Sequence, residues 1–287
     1  MIKQFGYWIE KGFLAAALWS IFVVLLILFF MLILGLPLFR EGRFLTLPVT
    51  PWMPDQGLFG IYPMIIGTAA ISFLSLCFAF PLSLGTAAFI SVIRRDVIGR
   101  VMRNVVILMT AIPTVVYAFV GIFLLVPLVQ DIVSAGAGMS IFTASLVLSL
   151  LVSPTMILIF QNSFDSVPQS YLNAVDALGG SAVQKLLYVI LPCSWKGIVA
   201  GLILGLGRAV GDTLVALMLA GNAVALPGSI FDSARTMTAH IALVTAADFD
   251  SMEFRSIFAC GILLYLITTG MILAVRLLTS TKTGVPR

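Results

Sequence analysis

Six stretches of the chain are apolar at nearly every position, and polar residues gather between them. They run from Phe13 to Leu36, Tyr62 to Ile93, Asn104 to Val129, Ser140 to Phe160, Ile198 to Ala220 and Phe254 to Leu278. Each reaches the roughly 20 residues a helix needs to cross a bilayer. A helix satisfies its backbone polar groups internally, which lipid demands, so the pattern predicts an all-α, polytopic membrane protein with six transmembrane helices. The second stretch is longer than a bilayer requires and carries Pro81, which predicts a kink or a projection beyond the membrane. The third carries Pro113 and Pro127. The first follows Lys3 and Lys11, is too long for a signal-peptide core and is not followed by an A-x-A cleavage site, so it reads as a retained helix.

Composition agrees with the pattern. The 287 residues are 61% hydrophobic and 10% charged, against about 25% charged in an ordinary globular chain. A net charge of +4 with basic residues scattered over loop ends does not point to nucleic acid. Cys77, Cys193 and Cys260 lie far apart and read as packing residues, and His240 stands alone, so no metal site is expected. H-E-x-x-H, G-x-S-x-G and G-x-x-x-x-G-K-[ST] are all missing. Without the last, the chain has no loop of that kind to cradle the phosphates of ATP.

Six crossings put both termini on one side. Lys3, Lys11, Arg94, Arg95, Arg100, Arg103, Lys185, Lys196, Arg276, Lys282 and Arg287 fall on that side, and Arg40, Arg43, Arg235 and Arg255 on the other. The positive-inside rule makes the termini cytoplasmic. Gln161–Gly197 is then a cytoplasmic loop. Within it "SVPQSYLNAVDALGG" predicts a helix, with Ser166 as cap, Pro168 in the first turn and Gly179 and Gly180 at its end. "SAVQKLLYVILP" predicts a second helix stopped at Pro192. The first presents Ala174, Val175, Ala177 and Leu178, which so short a helix cannot bury alone. It is either a connector on the membrane surface or a docking element for a partner.

The fifth stretch, "GLILGLGRAVGDTLVALMLAG", holds two opposite charges. Counted from Ile198, Arg208 lies about 15 Å up, half the hydrocarbon thickness. A charge there costs at least about 2.5–3.5 kcal/mol. Asp212 falls at i+4, on the same helical face, and can compensate it. Either the pair pins helix packing, or it lines an anion path in which substrate competes with Asp212 for the forked donors of Arg208. Thr213 offers a hydroxyl to such a path or bonds its own backbone. Gly201 and Gly205, and Gly207 and Gly211, have the spacing that lets membrane helices approach closely. Asp232 and Arg235, in the last outer loop, read as surface charges or as contacts for a binding protein.

"NAVDALGGSAVQKLLYVILP" resembles the EAA loop of ABC-importer permeases, with Ala174, Gly179, Val189, Leu191 and Pro192 at the matching spacing. Asn173 stands where that family has Glu, which removes one negative charge, and Val175 stands where a small residue is common. "IPTVVYAFVGIFLLVPLV", "GLGRAVGDTLVALMLAGN" and "LPGSIFDSARTMTAHIA" resemble the permeases of phosphate-specific transport, more the PstC type than its PstA partner. That family usually has Glu where this chain has Asp212.

The resemblance implies a type I ABC importer permease in the prokaryotic cytoplasmic (inner) membrane. It implies an N-terminal helix and outer loop over 1–61, a permease domain over 62–278 with its coupling loop at 161–197, and a cytoplasmic tail over 279–287. Coupling to an ATPase would fall to Asn173, Ala174, Val175, Asp176, Ala177, Leu178, Gly179, Leu191 and Pro192, and the phosphate path to Arg208, Asp212 and Thr213. Implied partners are a homologous second permease in a heterodimer, two ATPase subunits that hold ATP and Mg, an extracytoplasmic phosphate-binding protein, and membrane lipid. This chain itself would carry no cofactor and no catalysis. Sulfate, molybdate or tungstate are alternative cargoes. An ion-coupled carrier is a rival class, but Asp212 is the one carboxylate in a span that suits it, and it leaves the EAA-like loop unexplained.

Overall fold

The computed structural model describes residues 2–40, 46–94, 96–133, 138–248 and 251–279. Arg43, Arg95, Lys282 and Arg287, counted above, and the tail beyond Thr279 lie outside them. Six helical segments are long and apolar enough to cross a membrane. Helix α1 (Ile2–Arg40) is followed by a two-strand hairpin, β1 (Trp52–Met53) and β2 (Leu58–Phe59). Next come α2 (Tyr62–Ala88), α3 (Val97–Ala111), α4 (Thr114–Val120), α5 (Val126–Val133) and α6 (Ile141–Asp165). A short helix α7 (Gln169–Ala177) leads through α8 (Ala182–Lys185) into α9 (Leu191–Gly211). The chain ends with α10 (Leu214–Leu219), α11 (Met237–Val244) and α12 (Met252–Thr279).

Helix α6 is the axis of the bundle, and α2 and α9 pack on it. Its buried side chains include Leu148, Val152, Met156 and Phe160. Buried serines tie it to α2: Ser145 Oγ donates to the Ile71 carbonyl at 3.2 Å, and Ser83 Oγ to that of Ser153 at 3.3 Å. Hydroxyls suit this interface because lipid offers them no partner. On the other side the glycine spacing brings α9 against α6. A Cβ at Gly201 would sit 2.6 Å from the Phe160 ring, and one at Gly205 2.8 Å from Met156 Sδ. Gly201→Leu is therefore expected to destabilise the chain by about 1–3 kcal/mol. Thermal unfolding in detergent reads this, with Gly207→Ala as a harmless control because its Cβ would meet only Met271 Sδ at 3.7 Å.

Several segments depart from the pattern-based expectation. The third crossing is not one helix over Asn104–Val129. Helix α3 stops at Ala111, Ile112 turns extended at ψ 125° before Pro113, and α4 starts afresh. A residue before proline avoids the helical region, which accounts for the stop. Helix α6 runs past Phe160 to Asp165, so the cytoplasmic loop is shorter than expected. Ser166 closes α6 instead of opening α7, whose N-cap is Pro168.

Pro192 ends nothing. Ala182–Gly211 is one continuous rod, opened by a capping box between Ser181 and Gln184. A π turn, Leu186–Ile190, sits two residues before Pro192, and another, Gly121–Leu125, sits two before Pro127. A π turn bonds i to i+5, and here the N–H just before each proline reaches back five residues, Leu191 to the Leu186 carbonyl and Val126 to that of Gly121. The same rod stops at Gly211, short of the Ala220 expected for the fifth span.

The outer end is closed by the segment between α10 and α11. Backbone N–H groups of Ile141 and Phe142, which open α6, donate to the carbonyls of Asp232 (3.0 Å) and Ile230 (2.8 Å). Asp232 Oδ2 accepts from Gly228 N and Ser229 N, both at 2.8 Å. Arg235 is half-buried, and its Nε donates to the Asn222 carbonyl at 3.0 Å. Both charges thus brace the loop; Asp232 is exposed, as the reading as a surface charge has it, whereas Arg235 is half-buried.

Candidate functional site in the middle of the membrane

Arg208 lies in the last turn of α9, and its Nη1 donates to Thr155 Oγ1 at 2.5 Å. Thr155 fixes the depth. It sits 14 residues from Ile141 and 10 from Asp165 along α6, or about 21 and about 15 Å at 1.5 Å per residue. On this count along α6 the guanidinium lies near the bilayer centre. It is exposed on this chain, and it stands in a groove of about 270 Å³ between α9 and α12 lined by Ile203, Leu204, Gly207, Thr268, Met271 and Ile272. Lipid is a poor neighbour for a guanidinium at that depth.

The expected pairing with Asp212 is not made. An i+4 contact needs the helix to continue, but Asp212 leaves it at φ −73°, ψ 128°. Its carboxylate instead caps α10, with Oδ1 accepting from Val215 N at 2.9 Å. Thr238 Oγ1 donates to the Asp212 carbonyl at 2.9 Å, so α11 holds the break from outside. Among the described residues Arg208 has no acidic partner within ion-pair distance. Thr213 is partly buried beside the break, and its hydroxyl makes no hydrogen bond among the described residues.

A second break faces the first. Met109, near the end of α3, shares a cavity with Leu150 and Ser153 of α6, which places the Pro113 interruption at mid-depth. Tyr117 Oη spans it, donating to the Met109 carbonyl at 3.0 Å, and Tyr117 lies within range of the Arg208 charge. Helix α4 packs on α10. Two interrupted helices thus meet beside one cation, an arrangement that transporters use at substrate sites. Thr155 and Tyr117 were not singled out from the sequence. Their signals were faint: a threonine after Pro154, and a tyrosine one turn past Pro113.

At the cytoplasmic end, α7 buries Leu172 and leaves Tyr171 and Leu178 bare, the latter 89% exposed. Asn173, Ala174, Asp176, Ala177 and Gly179 share that exposed surface, and Val175 is partly buried. Gln169 Nε2 donates to Asn173 Oδ1 at 3.1 Å, and Asp176 pairs with Lys185 of the following rod. Gly179 takes φ 75°, and the N–H groups of Gly179 and Gly180 return to Asp176 and Val175 at 2.9 Å. The left-handed turn needs a glycine there. Leu191 and Pro192 are carried up the rod, away from this surface.

A family model described as "Binding-protein-dependent transport system inner membrane component" matches residues 79–282. The chain is 32% identical to "Probable ABC transporter permease protein YqgH" of Bacillus subtilis, over 80% of this chain and 76% of that one. It is 31% identical to "Phosphate transport system permease protein PstC" of Pasteurella multocida, over 79% and 77%. Against "Phosphate transport system permease protein PstC 2" of Mycobacterium tuberculosis it is 29% identical over 88% and 85%. Among solved structures, an inward-facing MetNI methionine ABC transporter superposes with a TM-score of 0.57 at 19% identity, over 76% of this chain and 95% of that chain. A bacterial alginate ABC transporter gives 0.57 at 17%, over 77% and 80%. The fold is that of type I ABC importer permeases. Since the family match takes in most of the bundle built around α6, the chain belongs to the inner-membrane permease components of binding-protein-dependent transport systems, and is a multi-pass transport subunit and not an enzyme.

Proposed function

We propose that the chain is one of two permease halves of an ATP-driven phosphate importer, PstC-like in its role, and that Arg208 marks where the anion crosses the membrane centre. The observation that carries this reading is a guanidinium at mid-depth whose one hydrogen-bond partner among the described residues is a neutral hydroxyl. Its remaining donors suit the oxygens of phosphate, and the Thr213 hydroxyl, beside the break at Asp212, is a further candidate donor. The names of the PstC relatives support phosphate as the cargo.

The break at Asp212 supplies a way to let the anion go. If α9 and α10 join into one helix, Asp212 returns to the i+4 position of Arg208 and displaces the phosphate. The exposed face of Arg208 is covered by the homologous second permease, and an extracytoplasmic phosphate-binding protein delivers the cargo. Two ATPase subunits, which hold ATP and Mg, dock beneath, one of them on α7 through the surface from Asn173 to Gly179. ATP closes the ATPase pair, α7 moves with it, and the bundle opens outward. Hydrolysis resets it.

Labelled phosphate uptake in cells that depend on this transporter tests the reading. Unlabelled phosphate is expected to compete at least about tenfold better than sulfate or molybdate, a margin of about 1.4 kcal/mol. Equal or better competition by sulfate or molybdate would overturn phosphate as the cargo.

A further inference from the structure

We propose that the cytoplasmic foot of the bundle holds a second anion site, built for the phosphate group of an anionic phospholipid and separate from the transport path. A cavity of about 360 Å³ opens between the elbow that joins α2 to α3 and the start of α7. Arg94, Arg100 and Arg103 line it, with Ser91, Asp165 and Gln169. Arg94 is held by Asp96 at 3.1 Å. Arg100 and Arg103, three residues apart on one face of α3, have no acidic partner within ion-pair distance among the described residues. Asp165 is the one carboxylate in the lining.

A second observation points to lipid as the source of such a phosphate. Just above the arginines, α3 turns Val101, Val105 and Met109 into an apolar cavity of about 260 Å³, walled by Leu82 of α2 and by Leu150 and Ile157 of α6. A basic cavity at headgroup depth with an apolar one above it on the same helix has the shape of a lipid, charge below and acyl chain above. Basic pockets between membrane helices on the cytoplasmic side bind anionic headgroups in this way. Gln169 and Leu172 bring the first turns of α7 into the basic cavity's wall, so an occupant would tie the elbow to the coupling helix.

The test uses the whole purified transporter in phosphatidylcholine nanodiscs, with or without phosphatidylglycerol, and counts retained phosphatidylglycerol by native mass spectrometry. Arg100→Gln with Arg103→Gln should weaken retention roughly fivefold per charge removed. Asp165→Asn should strengthen it, a gain that misfolding cannot imitate. A parallel arm measures labelled inorganic phosphate binding in pure phosphatidylcholine, with Arg208→Gln as background to silence the transport path. Binding there that is lost with Arg100 and Arg103 supports the site with free phosphate as its source. Retention and binding that ignore all three substitutions overturn the proposal, and leave the reading of Arg208 untouched.

Discussion

Arg208→Gln is expected to cut phosphate uptake by about a hundredfold or more while the ATPase still copurifies with the permease pair. Glutamine reaches Thr155 but brings neither the charge nor the fork. Loss of a charge-assisted, two-pronged contact at a water-poor site is worth about 3 kcal/mol, which sets the scale. Arg208→Lys keeps the charge without the fork and should fall between the two, near a tenfold loss. Assembly should survive because Arg208 and the exposed face of α7 stand at opposite ends of one rod. Uptake that persists at the normal rate in the glutamine variant would remove the guanidinium from the path.

Leu178→Asp should release the ATPase without harming the permease. Leu178 is 89% exposed on this chain, so its replacement disturbs no packing within it. Covered by a partner, the leucine contributes about 2 kcal/mol, and a carboxylate in the same place must also be desolvated. Affinity should fall at least about a hundredfold, enough to abolish copurification, with the permease's thermal unfolding unchanged. An ATPase that remains bound to the variant would place the docking surface elsewhere on the loop.

How much of this was legible beforehand differs between residues. Apolar run length placed six crossings, because burying backbone in lipid leaves few other solutions. Arg208 was legible because a charge in such a run has no inexpensive explanation. The breaks were not. Pro81 and Pro154 lie inside unbroken helices, Pro113 ends one, and Pro192 sits in a rod that continues through it. The difference lies in the hydrogen bonds around each ring, and run length says nothing of those. Asp212 was placed by helical spacing that its own break cancels. Thr155 was missed because a threonine in a serine-rich helix is unremarkable until its neighbour on α9 is known.

The rod from Ala182 to Gly211 has a mechanical consequence. Its foot begins three residues after the left-handed turn at Gly179, and its tip carries the guanidinium about 39 Å away. A tilt of about 5° at the foot swings the tip by about 3 Å over that length, the span of one hydrogen bond. The grip of Arg208 on Thr155 would fail at such a stroke. Force applied in the cytoplasm would thus be felt at the centre of the bilayer as a change of partner for a single cation.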